Sequence, residues 1–353
     1  MKCKIPLKGA IKVTGRDRPT TALIFGGRGM EHDVSINGAK FVFPLIDEKI
    51  YKKIPVYISK DGKWLMKTDV SGREGVECFP VFRGGVGGLI TSEGFIPVDV
   101  AFPLLHGDFG EDGTVQGALE NAMIPYVGCD VATGAIARDK GLVKLIAREL
   151  GIPTAKWIEH SGCTEESVWL TERLLGYPVF VKPSRLGSSV GVSCANNSSE
   201  LYSAIENASH LGKGRVIIEE AVEVIKELEC AYYSASGKIL FTSPGEVVCD
   251  LGFYDFNRKY LGDGASVSEI SNIDKAATDA TLEYSKKLAK RLGLRHISRI
   301  DFFLSTDGKV YFNEVNTMPG FTERSLYPRL LLKEGIPSRE LVLSLLNEAM
   351  SAP

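Results

Sequence analysis

Ser298-Arg299-Ile300-Asp301-Phe302-Phe303-Leu304-Ser305-Thr306-Asp307-Gly308-Lys309-Val310-Tyr311-Phe312-Asn313-Glu314-Val315-Asn316 reads as two strands around an Asp-Gly pair. Asp-Gly between apolar-rich runs is the signature of a β-hairpin with a two-residue turn. If Asp307 and Gly308 form that turn, Asp301 sits opposite Glu314 and Arg299 opposite Asn316. One face then carries Arg299, Asp301, Phe303, Phe312, Glu314 and Asn316, and the other carries Ile300, Phe302, Leu304, Tyr311, Asn313 and Val315. Opposed side chains lie roughly 5 Å apart, where like charges destabilise a sheet. Two carboxylates and an amide oxygen on one patch therefore call for a cation. Hard oxygen donors beside phosphate-binding features suggest Mg²⁺ rather than zinc. A surface hairpin with its acids in water is the alternative; Arg299 and the following Thr317-Met318-Pro319-Gly320 turn weigh against it.

At 353 residues the chain is long enough for two or three domains. Its composition, 44% hydrophobic and 24% charged with a formal net charge of −2, is that of a soluble globular protein. Near-neutral charge gives no electrostatic case for nucleic acid or an anionic membrane as partner. The basic start (Lys2, Lys4, Lys8, Lys12) lacks the apolar run of a signal peptide, and no stretch approaches a membrane span. Seven dispersed cysteines without C-x-x-C spacing suggest reduced thiols in a cytoplasmic protein.

Short β-branched runs alternate with longer helical stretches, which predicts an α/β fold. A strand near 21–26 leads through a glycine-rich turn into a helix starting near Asp33 or Val34. Strands near 53–59 and 98–106 would complete an open parallel sheet, whose ligands sit at the carboxyl ends of strands. Those ends carry Gly26-Gly27-Arg28-Gly29-Met30-Glu31 and His106-Gly107-Asp108-Phe109-Gly110-Glu111-Asp112-Gly113. The spacing divides the chain into a lead-in over 1–20 and units over 21–130, 131–222 and 223–353.

Neither G-x-x-x-x-G-K-S/T nor G-x-G-x-x-G occurs between a strand and a helix. Lys182 instead ends a strand and precedes a loop with Gly187, Ser188, Ser189 and Gly191. Glycine lets backbone N–H groups approach phosphate oxygens, and the serine hydroxyls add donors. An ordinary hairpin turn accounts for the loop equally well. Lys140, opening a helix, is either a second phosphate contact or a surface lysine. Glu219, Glu220, Glu227 and Glu229 could take ribose hydroxyls or the adenine amine, with Phe180 and Phe303 as apolar walls; each also suits a solvated strand edge.

The combination of Gly26-Gly27 … Glu31-His32-Asp33-Val34-Ser35, Leu105-His106-Gly107 … Gly110-Glu111-Asp112-Gly113-Thr114-Val115-Gln116-Gly117, Val181-Lys182-Pro183-Ser184-Arg185 … Gly187-Ser188-Ser189-Val190-Gly191, Arg299-Ile300-Asp301 and Asn313-Glu314-Val315-Asn316-Thr317-Met318-Pro319-Gly320 resembles the D-alanine–D-alanine ligases of the ATP-grasp superfamily. The resemblance runs in order from about residue 21 to the C-terminus. It implies an ATP-grasp fold of three α/β domains with ATP between the last two, and a homodimer. ATP would phosphorylate the first D-alanine, and the amine of the second would displace phosphate from the acyl phosphate, for peptidoglycan precursor synthesis. Carried onto this sequence, Asp301, Glu314 and Asn316 would hold two Mg²⁺. Lys140, Lys182, Ser188 and Ser189 would meet the phosphates, and Glu219, Glu220, Glu227 and Phe303 the adenosine. Glu31 would pair with the first substrate's ammonium, tied to Ser188 and Tyr260, while Arg299 and the Gly320 N–H would stabilise the tetrahedral intermediate. His106, Lys259, Ser325 and the Leu326 N–H would contact the amino-acid substrates.

Lys259-Tyr260 and Ser325-Leu326 resemble the dipeptide-forming enzymes more than those making D-alanyl-D-lactate or D-alanyl-D-serine; a D-alanine–D-serine ligase of glycopeptide resistance is the alternative. Other ATP-grasp ligases have no need of the Glu31–Ser188–Tyr260 trio. The sequence departs from the family pattern at Arg138, where relatives usually have Met, and at Glu323-Arg324. The segment 222–226 is one residue longer than usual, and the extension over 1–20 has no assigned role.

Overall fold

The structure is a computed structural model that describes residues 18–72, 74–249 and 265–351. Every residue of the strand Thr20–Gly26 is buried. It lies between Lys52–Ile58 and Val100–Pro103 and runs parallel to both, as a continuous apolar run covered on two faces should. The helix His32–Val42 follows directly. Beyond Lys52–Ile58 the sheet continues antiparallel through Trp64–Met66, Val76–Arg83, Val86–Thr91 and Gly94–Pro97, seven strands in all. The sequence reading covered the parallel core and omitted this extension. Pro80 within Val76–Arg83 and Gly87-Gly88 within Val86–Thr91 are residues that weaken a strand assignment.

A second, four-stranded antiparallel sheet is built from Trp157–Ser161, Val179–Pro183, Ser193–Ala195 and Arg215–Glu220. The loop 184–192 joins two of its adjacent strands. A third sheet contains Val224–Ala235, Lys238–Phe241, Gly245–Cys249, Ala265–Ser268, Ile297–Ser305 and Val310–Asn316. Its core face packs on the helices Lys140–Glu149 and Lys275–Leu292 through Val143, Ala147, Leu288, Leu292, Ile300, Phe302 and Phe312. The C-terminal helices Leu326–Lys333 and Ser338–Ser351 fill the space between the first and third sheets. Leu341, Leu345 and Leu346 share one buried cluster with Phe25, Phe102 and Tyr233. Tyr233 Oη donates to Ser344 Oγ at 2.8 Å and Tyr327 Oη to the Tyr232 carbonyl at 2.9 Å, so these buried phenols are satisfied.

The hairpin has the expected register at its open end, Arg299 facing Asn316 and Asp301 facing Glu314. Nearer the turn it differs: Phe302 faces Phe312, Phe303 faces Tyr311, and Leu304 faces Val310. The turn spans three residues, 306–308, closed by Gly308 N–H donating to Ser305 O at 2.9 Å, with Gly308 at φ 78°. An extra residue, Asn313, forms a bulge that restores the pairing. The longer turn and the bulge cancel at the site and leave a trace between them. Phe312 lies on the core face, 1% exposed and 6.0 Å from the Phe302 ring, whereas Tyr311 takes the place predicted for Phe312, opposite Phe303.

Candidate active site

The third sheet sets three acids in one row. Glu229 pairs with Asp301, and Asp301 with Glu314, across three adjacent strands. Arg299 comes from the next row and binds Asp301 with both ends of its fork, Nε to Oδ1 at 2.7 Å and Nη2 to Oδ2 at 2.6 Å. Its Nε also lies 3.2 Å from Glu229. Burial opposes the guanidinium charge, but Asp301 and Glu229 outweigh it and hold the pKa well above the ordinary arginine value. Asn316 Nδ2 donates to Asp301 Oδ2 at 2.9 Å, and Lys140 Nζ stands 3.5 Å from Glu314. Glu227 faces Phe303 one step along.

Above this row lies the phosphate-type loop. Lys140 is buried at the start of Lys140–Glu149, whose N-cap Asp139 accepts from Leu142 N at 3.2 Å. Its Nζ donates to the Leu186 carbonyl at 2.5 Å, joining the helix to the loop. Burial lowers the Lys140 pKa, with Glu314 acting against that shift. Ser188 and Ser189 have φ of 53° and 58°, left-handed conformations that non-glycine residues adopt at a cost. Such strain concentrates where a ligand has to be met. Ser188 Oγ donates to Glu31 Oε1 at 2.8 Å, so two residues far apart in sequence meet as expected.

Glu219 is 3% exposed and binds two ammonium groups, Lys182 Nζ at 2.6 Å and Lys144 Nζ at 2.9 Å. Burial would raise its pKa; the two lysines outweigh burial and bring it down to about 2. Glu219 therefore serves the lysines in this arrangement. Glu220, next on the strand, points the other way, accepting from Lys156 N at 2.9 Å and pairing with Lys156 Nζ at 3.3 Å. The structure thus separates Glu220 from the site it was expected to share, because adjacent strand residues face opposite sides.

His106 Nδ1 lies 3.0 Å from the Met318 carbonyl. A carbonyl only accepts, so Nδ1 carries a proton, and Nε2 is buried with no hydrogen-bond partner among the described residues. Glu111 Oε1 accepts from Met318 N at 3.1 Å and Oε2 from Gly107 N at 2.9 Å. These two side chains clamp the turn that leads to Gly320. Ser325 Oγ accepts from Thr322 N at 3.0 Å, at the N-terminus of Leu326–Lys333. The Leu326 side chain is 4% exposed and belongs to the core; a Cβ on Gly245 would lie 3.0 Å from its Cδ2. Lys259, Tyr260 and most of the 250–268 loop lie outside the described residues.

Glu111, Arg138, Lys140, Glu314, Asn316 and Thr317 line one cleft. Among the described residues no group of three or more His, Cys, Asp or Glu side chains is arranged for a metal ion. The set here is two carboxylates and the amide oxygen that Asn316 keeps after its Nδ2 is engaged, an all-oxygen donor set that suits a hard dication. Asp301 would share that ion with Arg299. Sequence reasoning missed Lys144 and Glu111 at this cleft, and it offered Glu229 to the adenosine, whereas the structure sets it in the acid row beside Asp301. Lys140 and Lys144 stand four apart on one helix, a spacing that places them on one face and could have revealed the second lysine.

The D-ala D-ala ligase N-terminus family matches residues 20–129 and the D-ala D-ala ligase C-terminus family matches residues 146–347. A D-alanine–D-alanine ligase of Caldicellulosiruptor bescii is 37% identical, covering 93% of this chain and 94% of the relative. That of Enterococcus faecalis is 36% identical over 93% of this chain and 98% of the relative. Among solved structures, D-alanyl-alanine synthetase A from Vibrio cholerae superposes with a TM-score of 0.85 at 30% identity, covering 95% of this chain and 99% of that one. The VanG D-Ala:D-Ser ligase from Enterococcus faecalis does so with a TM-score of 0.85 at 32% identity, covering 94% and 99%. The fold is accordingly ATP-grasp, and the chain belongs to the D-alanine–D-alanine ligase family.

Proposed function

We propose that this protein joins two molecules of D-alanine into D-alanyl-D-alanine, using ATP and passing through an acyl phosphate. The observation that carries this reading is the Ser188–Glu31 hydrogen bond of 2.8 Å. It ties a carboxylate fit for an ammonium to a loop fit for phosphate, so an amino acid held at Glu31 has its own carboxylate beside the phosphoryl donor. Proximity of this kind replaces a bimolecular encounter by a positioned one.

In this reading Lys140, Lys182 and the backbone of Ser188 and Ser189 hold the phosphates. Glu31 binds the first D-alanine ammonium, and His106 contacts the same substrate. Asp301, Glu314 and Asn316 hold Mg²⁺, which when bound offsets phosphate charge. Arg299 and the Gly320 N–H face the oxyanion that develops when the second amine attacks. Ser325 and the Leu326 N–H, at a helix N-terminus, take the second carboxylate. Glu227 and Phe303 adjoin the adenosine, and Lys259 and Tyr260, outside the described residues, would contact the first substrate and Glu31. The three units over 21–130, 131–222 and 223–353 act as domains, and the enzyme is a cytoplasmic homodimer serving cell-wall precursor synthesis. No helix among the described residues is long and apolar enough to cross a membrane, in keeping with that setting.

The test is phosphate release with ATP and Mg²⁺, the products identified by mass, with D-alanine alone and with added D-serine or D-lactate. D-alanyl-D-alanine as the dominant product supports the reading. A dominant D-alanyl-D-serine product overturns the choice of second substrate and shifts attention to Glu323-Arg324.

A further inference from the structure

Arg138, the residue that departs from the family pattern, is placed where three loops meet. Its side chain is only 10% exposed, with Nη2 donating to Asp108 Oδ1 at 2.9 Å and Nη1 3.7 Å from Glu111 Oε2. Burial opposes its charge, and Glu111, Glu31 and Asp108 together more than restore it. On its other side is the phosphate loop: a Cβ built on Gly187 would lie 2.6 Å from Arg138 Nη1. Glu111, which Arg138 faces, itself holds Gly107 N and Met318 N. Arg138 thus stands between the acidic wall of the first sheet and the loop that carries Ser188, one residue from the Asp139 carboxylate that binds Arg185 Nε at 2.9 Å.

We propose that Arg138 is a positioning residue that fastens the phosphate loop to the wall formed by Glu31, Asp108 and Glu111, and so sets how firmly the first amino-acid substrate is held. The inference rests on the reading of Glu31 as the ammonium site. Without the guanidinium, three carboxylates face one another and Gly187 loses the group it packs against. A long apolar side chain would fill the space without balancing them.

The test uses the full-length enzyme and the Arg138→Met and Arg138→Lys variants. Arg185, 59% exposed at the root of the loop, offers trypsin a site that reports on loop fastening without any reaction. Tryptic cleavage after Arg185 should quicken about threefold or more in Arg138→Met, as expected of a segment with fewer tertiary ties. The first-site KM for D-alanine should rise roughly tenfold, the size of one lost contact to a charged group, and the KM for ATP should rise less, because Lys140 and Lys182 hold the phosphates from outside the loop. Arg138→Lys should recover part of both effects. Gly187→Ala should cost less in Arg138→Met than in wild type, because the two positions are in contact. Unchanged cleavage together with an unchanged first-site KM overturns the proposal. So does a uniform loss in kcat, both KM values and Tm that Arg138→Lys does not relieve. If the wild-type enzyme makes no D-alanyl-D-alanine, the proposed function fails, and the tryptic comparison still decides the fastening.

Discussion

Two charged clusters face each other in this molecule, and they are unbalanced in opposite senses. At the second sheet, Lys182 and the helix residue Lys144 share the single carboxylate of Glu219. In the third, the row Glu229, Asp301 and Glu314 is met, among the described residues, by Arg299 and the nearby Lys140 ammonium. Under the proposed function the first cluster, with more cation, would meet phosphate, and the second, with more carboxylate, would meet a dication. A metal–nucleotide complex would complete both at once. Among these groups neither cluster is balanced alone, and in that reading the difference indicates which end of the complex each would receive.

Perturbing the acid-rich side should have the largest effect on turnover. Glu314→Gln is expected to abolish dipeptide synthesis, a loss of about 10³-fold or more, with the circular-dichroism spectrum and Tm close to wild type. Near-normal activity would remove the metal assignment. Arg299→Ala should lower kcat by roughly 10²–10³-fold with little change in ATP affinity, as for loss of one donor to an oxyanion. Weakened ATP binding with kcat retained would place Arg299 on the nucleotide instead.

The cation-rich side should break differently. Glu219→Gln leaves Lys144 and Lys182 buried without a counter-charge, which should destabilise the protein by about 3–5 kcal/mol in denaturant titrations. A loss below about 1 kcal/mol would mean the lysines find other partners. The same contrast is sharpened by pH. The Glu219 pKa is held down to about 2, from an ordinary value near 4.5. Its contribution is therefore complete above the ordinary value and lost as pH falls through the folded one. Wild type should lose stability more steeply on acidification than Glu219→Gln; parallel curves would show that Glu219 is not the group responsible.

The hairpin shows how much of this was legible beforehand. Asp301 opposite Glu314 follows from alternation and the Asp-Gly turn, yet the turn has three residues and Asn313 bulges to compensate. The pairing at the site agreed through two compensating irregularities. The same bulge exchanged Tyr311 and Phe312 between faces, and a local bulge leaves no mark in an apolar pattern. Periodicity revealed the strand Thr20–Gly26 because both faces are covered, while Pro80 and paired glycines concealed the antiparallel edge. Motif residues could be read as chemistry, so Glu31 and Ser188 were expected to meet, and they do. Glu220 was misplaced because strand parity was not applied to two adjacent acids. Lys144, and the place of Glu229 beside Asp301, needed the cross-strand and cross-sheet neighbours that only the fold supplies.

The opposing imbalance of the two clusters is tested most directly by calorimetric titration of Mn²⁺ into the enzyme saturated with a non-hydrolysable ATP analogue. Wild type and Glu314→Gln are compared, with Lys182→Met as the reciprocal variant. The account predicts that Glu314→Gln loses metal binding while retaining the nucleotide, and that Lys182→Met weakens the nucleotide while the acid row still takes metal once nucleotide is saturating. Equal metal stoichiometry and affinity in wild type and Glu314→Gln would contradict it.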